Sequence, residues 1–162
     1  MNNTIDAILQ FSIPDEMRAM TPEEYAKFFR SAGEEKYGFY NEEKHTILTI
    51  VYKKRPVLLG RAASAEAVLR ATERRVRKQI QTYKNTGYGS RCVDGVRADT
   101  FRFAYTVQNI EQTGEYVLCR FPRYNLCFQL ICREEHRDFA TQKFEALLAS
   151  VKFKGGAIHD QK

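Results

Sequence analysis

Between Val93 and Arg133, apolar side chains fall on every second position in three successive runs. Phe101, Phe103, Tyr105 and Val107 form one set, Val117, Cys119 and Phe121 a second, and Leu126, Phe128, Leu130 and Cys132 a third. A period of two is the repeat of a strand with one buried face. Polar breaks at Asn109–Gly114 and Pro122-Arg123 separate the runs, which predicts an antiparallel meander. A two-residue turn at Pro122-Arg123 pairs Phe121 with Tyr124, Cys119 with Leu126 and Val117 with Phe128. Apolar residues then face apolar residues, and such matching sets register in a half-buried sheet. Ahead of the meander, Ser90–Val93 reads as a further strand, and Asp94-Gly95 is a strong two-residue hairpin signal.

Upstream the pattern changes period. Residues 8–13 predict a short strand ended by Pro14. Thr21-Pro22-Glu23-Glu24 supplies a capping residue, a proline suited to the first helical position and two carboxylates for the positive end of the dipole. The helix it opens extends to about Ser31, buries Tyr25, Phe28 and Phe29, and stops at Gly33. Lys36–Asn41 and His45–Lys53 predict two strands joined by a turn over residues 41–44. The second is apolar on both faces, which places it centrally in a covered sheet. Lys54–Ala63 reads as a connector. Ser64-Ala65-Glu66-Ala67 opens the longest helix, over residues 65–84, with a stripe of Val68, Leu69, Thr72, Val76, Ile80 and Tyr83 facing inward. Asn85–Gly89 ends it. His136–Ser150 predicts the last helix, with Ala140, Phe144, Leu147 and Leu148 inward. Val151–Phe153 leaves it extended, and Lys154–Lys162 reads as a flexible tail.

This order predicts the α+β class: a single α/β/α sandwich in which a twisted, mainly antiparallel sheet of about six to seven strands is flanked by helices, with residues 1–153 as one domain and 154–162 as the tail. Three segments carry a resemblance. Phe11-Ser12-Ile13-Pro14-Asp15 is similar to the "F-x-I-P-D/E-G" opening of the PsbP-like superfamily. Phe144 through Phe153 resembles its "F-x-x-I-L-x-S-I/V-K-F" ending, and Val93-Asp94-Gly95-Val96-Arg97-Ala98 its "I-x-G-x-x-A" segment before the meander. The superfamily includes a photosystem II extrinsic protein, the Mog-type Ran-binding import factors and bacterial secretion-effector chaperones. The chain departs from the pattern at Glu16, where the superfamily usually has glycine, and in the residues after it. The resemblance implies the sandwich fold and protein–protein work as an adaptor, assembly factor or effector chaperone.

Charge sharpens where such work would happen. The net charge is +6, and it is unevenly spread. Residues 1–52 carry five basic and nine acidic groups, residues 53–91 eleven and two, and residues 92–162 ten and nine. Within the basic third, Arg70, Arg74, Arg77, Lys78 and Lys84 lie on the outward side of the predicted long helix, and they are the candidate partner-binding residues. An ordinary solvated helix face explains the same spacing. Nucleic acid or an anionic surface is an alternative partner, with Tyr83 and Tyr88 as the aromatic platforms it would need. Gly87-Tyr88-Gly89 is no phosphate loop, because it follows a helix instead of preceding one.

Enzymatic signals are sparse. Cys132 and His136 are spaced four apart and would form a nucleophile–base pair only if strand and helix brought them together. Cys92, Cys119, Cys127 and Cys132 have no Cys-x-x-Cys spacing and read as small apolar residues. No zinc motif, nucleotide fingerprint or cofactor signature is present. No apolar run reaches the roughly 20 residues a membrane helix needs, and the N-terminus lacks the pattern of a signal peptide, which leads to an expectation of the cytoplasm. The functional expectation is therefore a non-enzymatic protein-binding module without a cofactor. A nucleic-acid or anionic-surface binder and a small enzyme at Cys132/His136 are the alternatives.

Overall fold

A computed structural model describes residues 2–5, 8–28, 35–54, 64–121 and 124–154. In chain order they form β1 (Asn2–Ile5), β2 (Leu9–Ser12), β3 (Arg18–Ala19), α1 (Pro22–Phe28), β4 (Glu35–Asn41), β5 (Thr46–Lys54), α2 (Ala65–Gln79), β6 (Lys84–Val93), β7 (Val96–Val107), β8 (Ile110–Arg120), β9 (Tyr124–Arg133), a turn of 3-10 helix (Glu134–His136), α3 (Arg137–Ser150) and β10 (Lys152–Phe153). The main sheet has seven strands in the order β3-β4-β5-β9-β8-β7-β6, all pairs antiparallel. The architecture is the expected α+β sheet flanked by helices. Residues 8–13, however, do not join that sheet. β2 lies between β1 and β10 in a second, three-stranded sheet.

The meander has the register that apolar matching predicts: Val117 opposite Phe128 and Cys119 opposite Leu126, with Phe121 N–H donating to the Tyr124 carbonyl at 3.0 Å. Pro122 and Arg123 lie outside the described residues. Asp94 (φ 46°) and Gly95 (φ 78°) turn the β6–β7 hairpin, and Gln108 (φ 50°) and Asn109 (φ 65°) turn β7 into β8. Both pairs are left-handed, the geometry whose twist matches flanking strands. The second turn corrects the expected break at 109–114, because β8 already starts at Ile110. Gly114 sits inside the strand for a steric reason: a Cβ there would lie 2.3 Å from Cζ of Phe103, so the ring lies directly over the backbone.

Two helices also differ from expectation. α2 stops at Gln79, with Ile80 already extended (ψ 109°), and the chain re-enters the sheet at Lys84. Residues 84–89 therefore belong to β6, with an irregularity between Asn85 and Gly87, and Tyr83 and Lys84 are not helical. In α1, Thr21 and Glu24 form a reciprocal capping box, Thr21 N–H to Glu24 at 2.9 Å and Glu24 N–H to Thr21 Oγ1 at 3.2 Å. Yet α1 buries no residue fully, and Phe28 is 38 % exposed. Phe29, Ser31, Gly33, the connector from residue 55 to 63 and the tail from residue 155 lie outside the described residues.

Side-chain alternation splits the core between the two faces of the main sheet. On one face Leu48, Ile50, Val117, Cys119, Leu126 and Phe128 pack with Phe144, Leu147 and Leu148 of α3 and with Leu9, Phe11 and Phe153 of the small sheet. On the other, Phe101, Phe103, Leu118 and Cys127 pack under α2, chiefly against Val76. The terminal motifs meet on the first face. β10 pairs with β2, Ser150 Oγ accepts from Ser12 N–H at 2.9 Å, and Asp94 Oδ2 accepts from Phe153 N–H at 2.8 Å. Glu16, where a glycine is usual, has φ 70°. The backbone there requires the left-handed region that glycine enters freely. Glutamate holds it through an ion pair to Lys143 at 3.0 Å and a hydrogen bond from Asn41 Nδ2 to its carbonyl at 2.8 Å.

Candidate functional site: a basic groove between α1 and α2

Seven strands at about 4.8 Å spacing make a sheet roughly 29 Å wide. Two helices about 10 Å across cannot cover it. α1 packs over β4, where Gly38 N–H donates to the Tyr25 hydroxyl and Phe28 meets Tyr40 at 5.7 Å between ring centroids. α2 packs over Phe101 and Phe103 of β7. Between the helices, β5, β9 and β8 form the floor of a groove of about 620 Å³.

Alternation decides what the floor presents. Val51, Tyr116, Leu118 and Cys127 give it an apolar centre, with Asn125 and Gln129 beside them. The Asn125 Oδ1 atom is buried and lacks a hydrogen-bond partner. Phe28 forms one wall, and Val68, Thr72, Val76 and Gln79 the other. Lys36, Lys53, Arg75 and Lys78 also line the groove, and among the described residues no acidic side chain is part of its lining. Sparse acidic groups and a shared low-dielectric wall reinforce one sign of potential in such a cleft.

Of the candidate partner-binding residues, Lys78 lines this groove. Arg70, Arg74 and Arg77 are exposed on α2, whereas Lys84 has moved to the start of β6. Arg70 lies 2.9 Å from Glu66, one turn away and likewise exposed. Arg77 is 3.7 Å from Glu73 and covers the ring of Tyr83 at 5.3 Å. The sequence did not single out Arg75 or Lys36, and register brings Lys36 in, since β4 places it opposite Val51.

Glu73 was also missed. It is 5 % exposed and accepts hydrogen bonds from Tyr83 at 2.5 Å, Tyr88 at 2.5 Å and Asn85 at 2.7 Å. Burial raises its pKa, but the three donors together outweigh burial and hold the carboxyl below its ordinary range. This single carboxylate ties the end of α2 to β6. Its signal in the sequence was an acid four residues after Leu69, within the apolar stripe. Tyr83 stacks on Phe103 at 5.2 Å with Arg77 on its ring, so it offers no free platform to a base.

Cys132 and His136 do not form a reactive pair. Cys132 is 1 % exposed in the α3-side core, and burial pushes its thiol up to about 12, the opposite of an activated nucleophile. His136 lies 3.5 Å from Glu135 and packs against His45. All four cysteines are free; Cys92 is exposed and the others buried. Among the described residues, no helix is long and apolar enough to cross a membrane.

No family model and no curated protein sequence matches the chain. Solved structures do. LpqN of Mycobacterium tuberculosis, involved in cell envelope biogenesis, superposes with a TM-score of 0.66 at 11 % identity, over 90 % of this chain and 83 % of that one. Cyanobacterial PsbP (CyanoP) from Synechocystis superposes with a TM-score of 0.61 at 15 % identity, over 90 % of this chain and 86 % of that one. The fold is PsbP-like. TplEi, a T6SS immunity protein of Pseudomonas aeruginosa, matches more distantly, with a TM-score of 0.52 at 9 % identity over 86 % of this chain and 54 % of its own. At these identities the PsbP-like likeness is one of fold. The groove's residues are read from this chain alone.

Proposed function

We propose that this chain is a protein-binding module that holds an acidic, apolar-anchored segment of its partner in the groove between α1 and α2. The observation that carries this reading is the pairing of an apolar floor with a rim of Lys36, Lys53, Arg75 and Lys78. Apolar anchors of the partner would displace water from Val51, Leu118 and Cys127. Its carboxylates would meet the rim, and a backbone N–H would satisfy Asn125 Oδ1. Arg70, Arg74 and Arg77 extend the positive field along α2 and steer approach, while Lys84 adds to it from β6. Steering of this kind raises association rate more than affinity and weakens with salt. The Tyr83 ring, stacked on Phe103 and covered by Arg77, argues against its use as a platform for single-stranded nucleic acid, and the protonated, buried Cys132 thiol argues against covalent catalysis.

Selection of displayed random peptides tests the proposal. The wild-type chain enriches sequences that combine acidic and large apolar residues. Lys53→Glu/Arg75→Glu, which changes two exposed rim residues, lowers affinity for the enriched peptides by about tenfold or more. Enrichment without acidic bias, or equal binding by the double variant, overturns the reading.

A further inference from the structure

Where α3 ends, the face it covers turns polar. Along β7 that face presents Val96, Ala98, Thr100 and Arg102, and along β8 Cys119, Val117 and Glu115. A second cavity, of about 200 Å³, opens here. Its lining includes Gly89 and Arg91 of β6, Thr100 and Arg102 of β7, and Glu115 of β8. It lies on the opposite face of the sheet from the groove.

Two charged groups in it are under-used. Glu115 is 7 % exposed, and its ion partner is the Arg102 Nε at 3.5 Å, too long for a strong hydrogen bond. A carboxylate accepts about four. Arg91 gives its terminal nitrogens to Glu145 of α3 at 2.7 and 2.6 Å, which leaves its Nε buried without a partner. Burial, the largest influence, pushes the Glu115 carboxyl above its ordinary range. A cationic group brought beside it would offset that cost.

The charge arrangement narrows the ligand. A simple cation that reaches Glu115 also meets Arg91 and Arg102, and a simple anion meets Glu115. A zwitterion suits both. Size narrows it further, since 200 Å³ corresponds to about seven waters at roughly 30 Å³ each, the scale of a small molecule. Gly89 keeps the space open, because a Cβ there would stand 3.1 Å from Thr100 Oγ1.

We propose that this cavity binds a free α-amino acid with a small side chain, its ammonium on Glu115 and its carboxylate on Arg91 and Arg102. Calorimetric titration of the full chain with glycine, L-alanine, L-serine and L-threonine tests it. At least one binds saturably, and its N-acetyl and methyl-ester derivatives do not. Glu115→Gln, which keeps shape and removes charge, and Gly89→Ala, which keeps charge and removes space, each weaken binding by about tenfold or more. Urea midpoints of both variants establish that they are folded. The proposal is overturned if none of the four binds, if a derivative binds as well as its parent, or if either folded variant keeps wild-type affinity.

Discussion

The two faces of the seven-stranded sheet are built from one set of alternating strands and end up with opposite characters. The α3 face is closed except at the small cavity beside β6: one helix and a three-stranded sheet cover it, and Phe144, Leu147, Leu126 and Phe128 are fully buried there. The α2 face is half-closed. α1 buries nothing completely, α2 buries Val76 and Glu73, and a basic groove runs between them. The difference teaches that core and site in this fold are a matter of cover. An apolar strand position becomes core where a helix lies over it and becomes a candidate binding floor where none does.

One residue type on both faces gives the sharpest test. Phe144→Ala opens a void in the closed core and is expected to cost about 3–5 kcal/mol. Phe28→Ala trims an exposed wall and one ring contact, worth about 1 kcal/mol. Chemical denaturation of both variants checks this, and similar losses would erase the distinction between the faces.

Glu73 comes next. Glu73→Gln leaves the donors of Tyr83, Tyr88 and Asn85 with a weaker acceptor and is expected to destabilise by about 1–3 kcal/mol at neutral pH. Because the folded-state pKa is depressed, the contribution is present above the unfolded carboxylate value of about 4.3 and is lost as pH falls through the lower folded value. The gap in urea midpoint between variant and wild type should therefore narrow in acid. A gap that stays constant with pH would mean that the carboxylate's charge is not what ties α2 to β6.

The smallest expected effect is on the outer side of α2. Arg70→Ala removes an exposed pair with Glu66, and the melting temperature should register no more than about 0.5 kcal/mol. A larger loss would show that this side of α2 is structural and not merely solvated.

Much of the fold was legible in the residues. The meander register followed from apolar matching, the Asp94-Gly95 hairpin from its dipeptide, and the cap of α1 from Thr21 and Glu24. The misreadings share a cause. Residues 80–84 continue the helical spacing of α2, but the Glu73 carboxylate holds Tyr83 and Asn85 at the entry to β6, and tertiary hydrogen bonds override local periodicity. Residues 109–114 look like a loop because Gly114 breaks a strand pattern locally, yet the glycine is what admits the Phe103 ring. Of the groove, its basic character, Lys78 and the α2 wall of Val68, Thr72 and Val76 could be read beforehand. Lys36, Lys53, Arg75 and Asn125 are far apart in the chain, and register alone gathers them.

The sequence by itself determined the core of the meander strands with their register, the pair of strands before the long helix and the excess of positive charge in residues 53–91, because periodicity and turn chemistry are local. The tertiary structure alone decided which apolar faces are covered, that Glu16 occupies a left-handed position, that Glu73 is buried, and that two uncovered regions hold the groove and the small cavity. Cover depends on the width of the sheet against the number of helices laid across it, and no stretch of the chain carries that quantity.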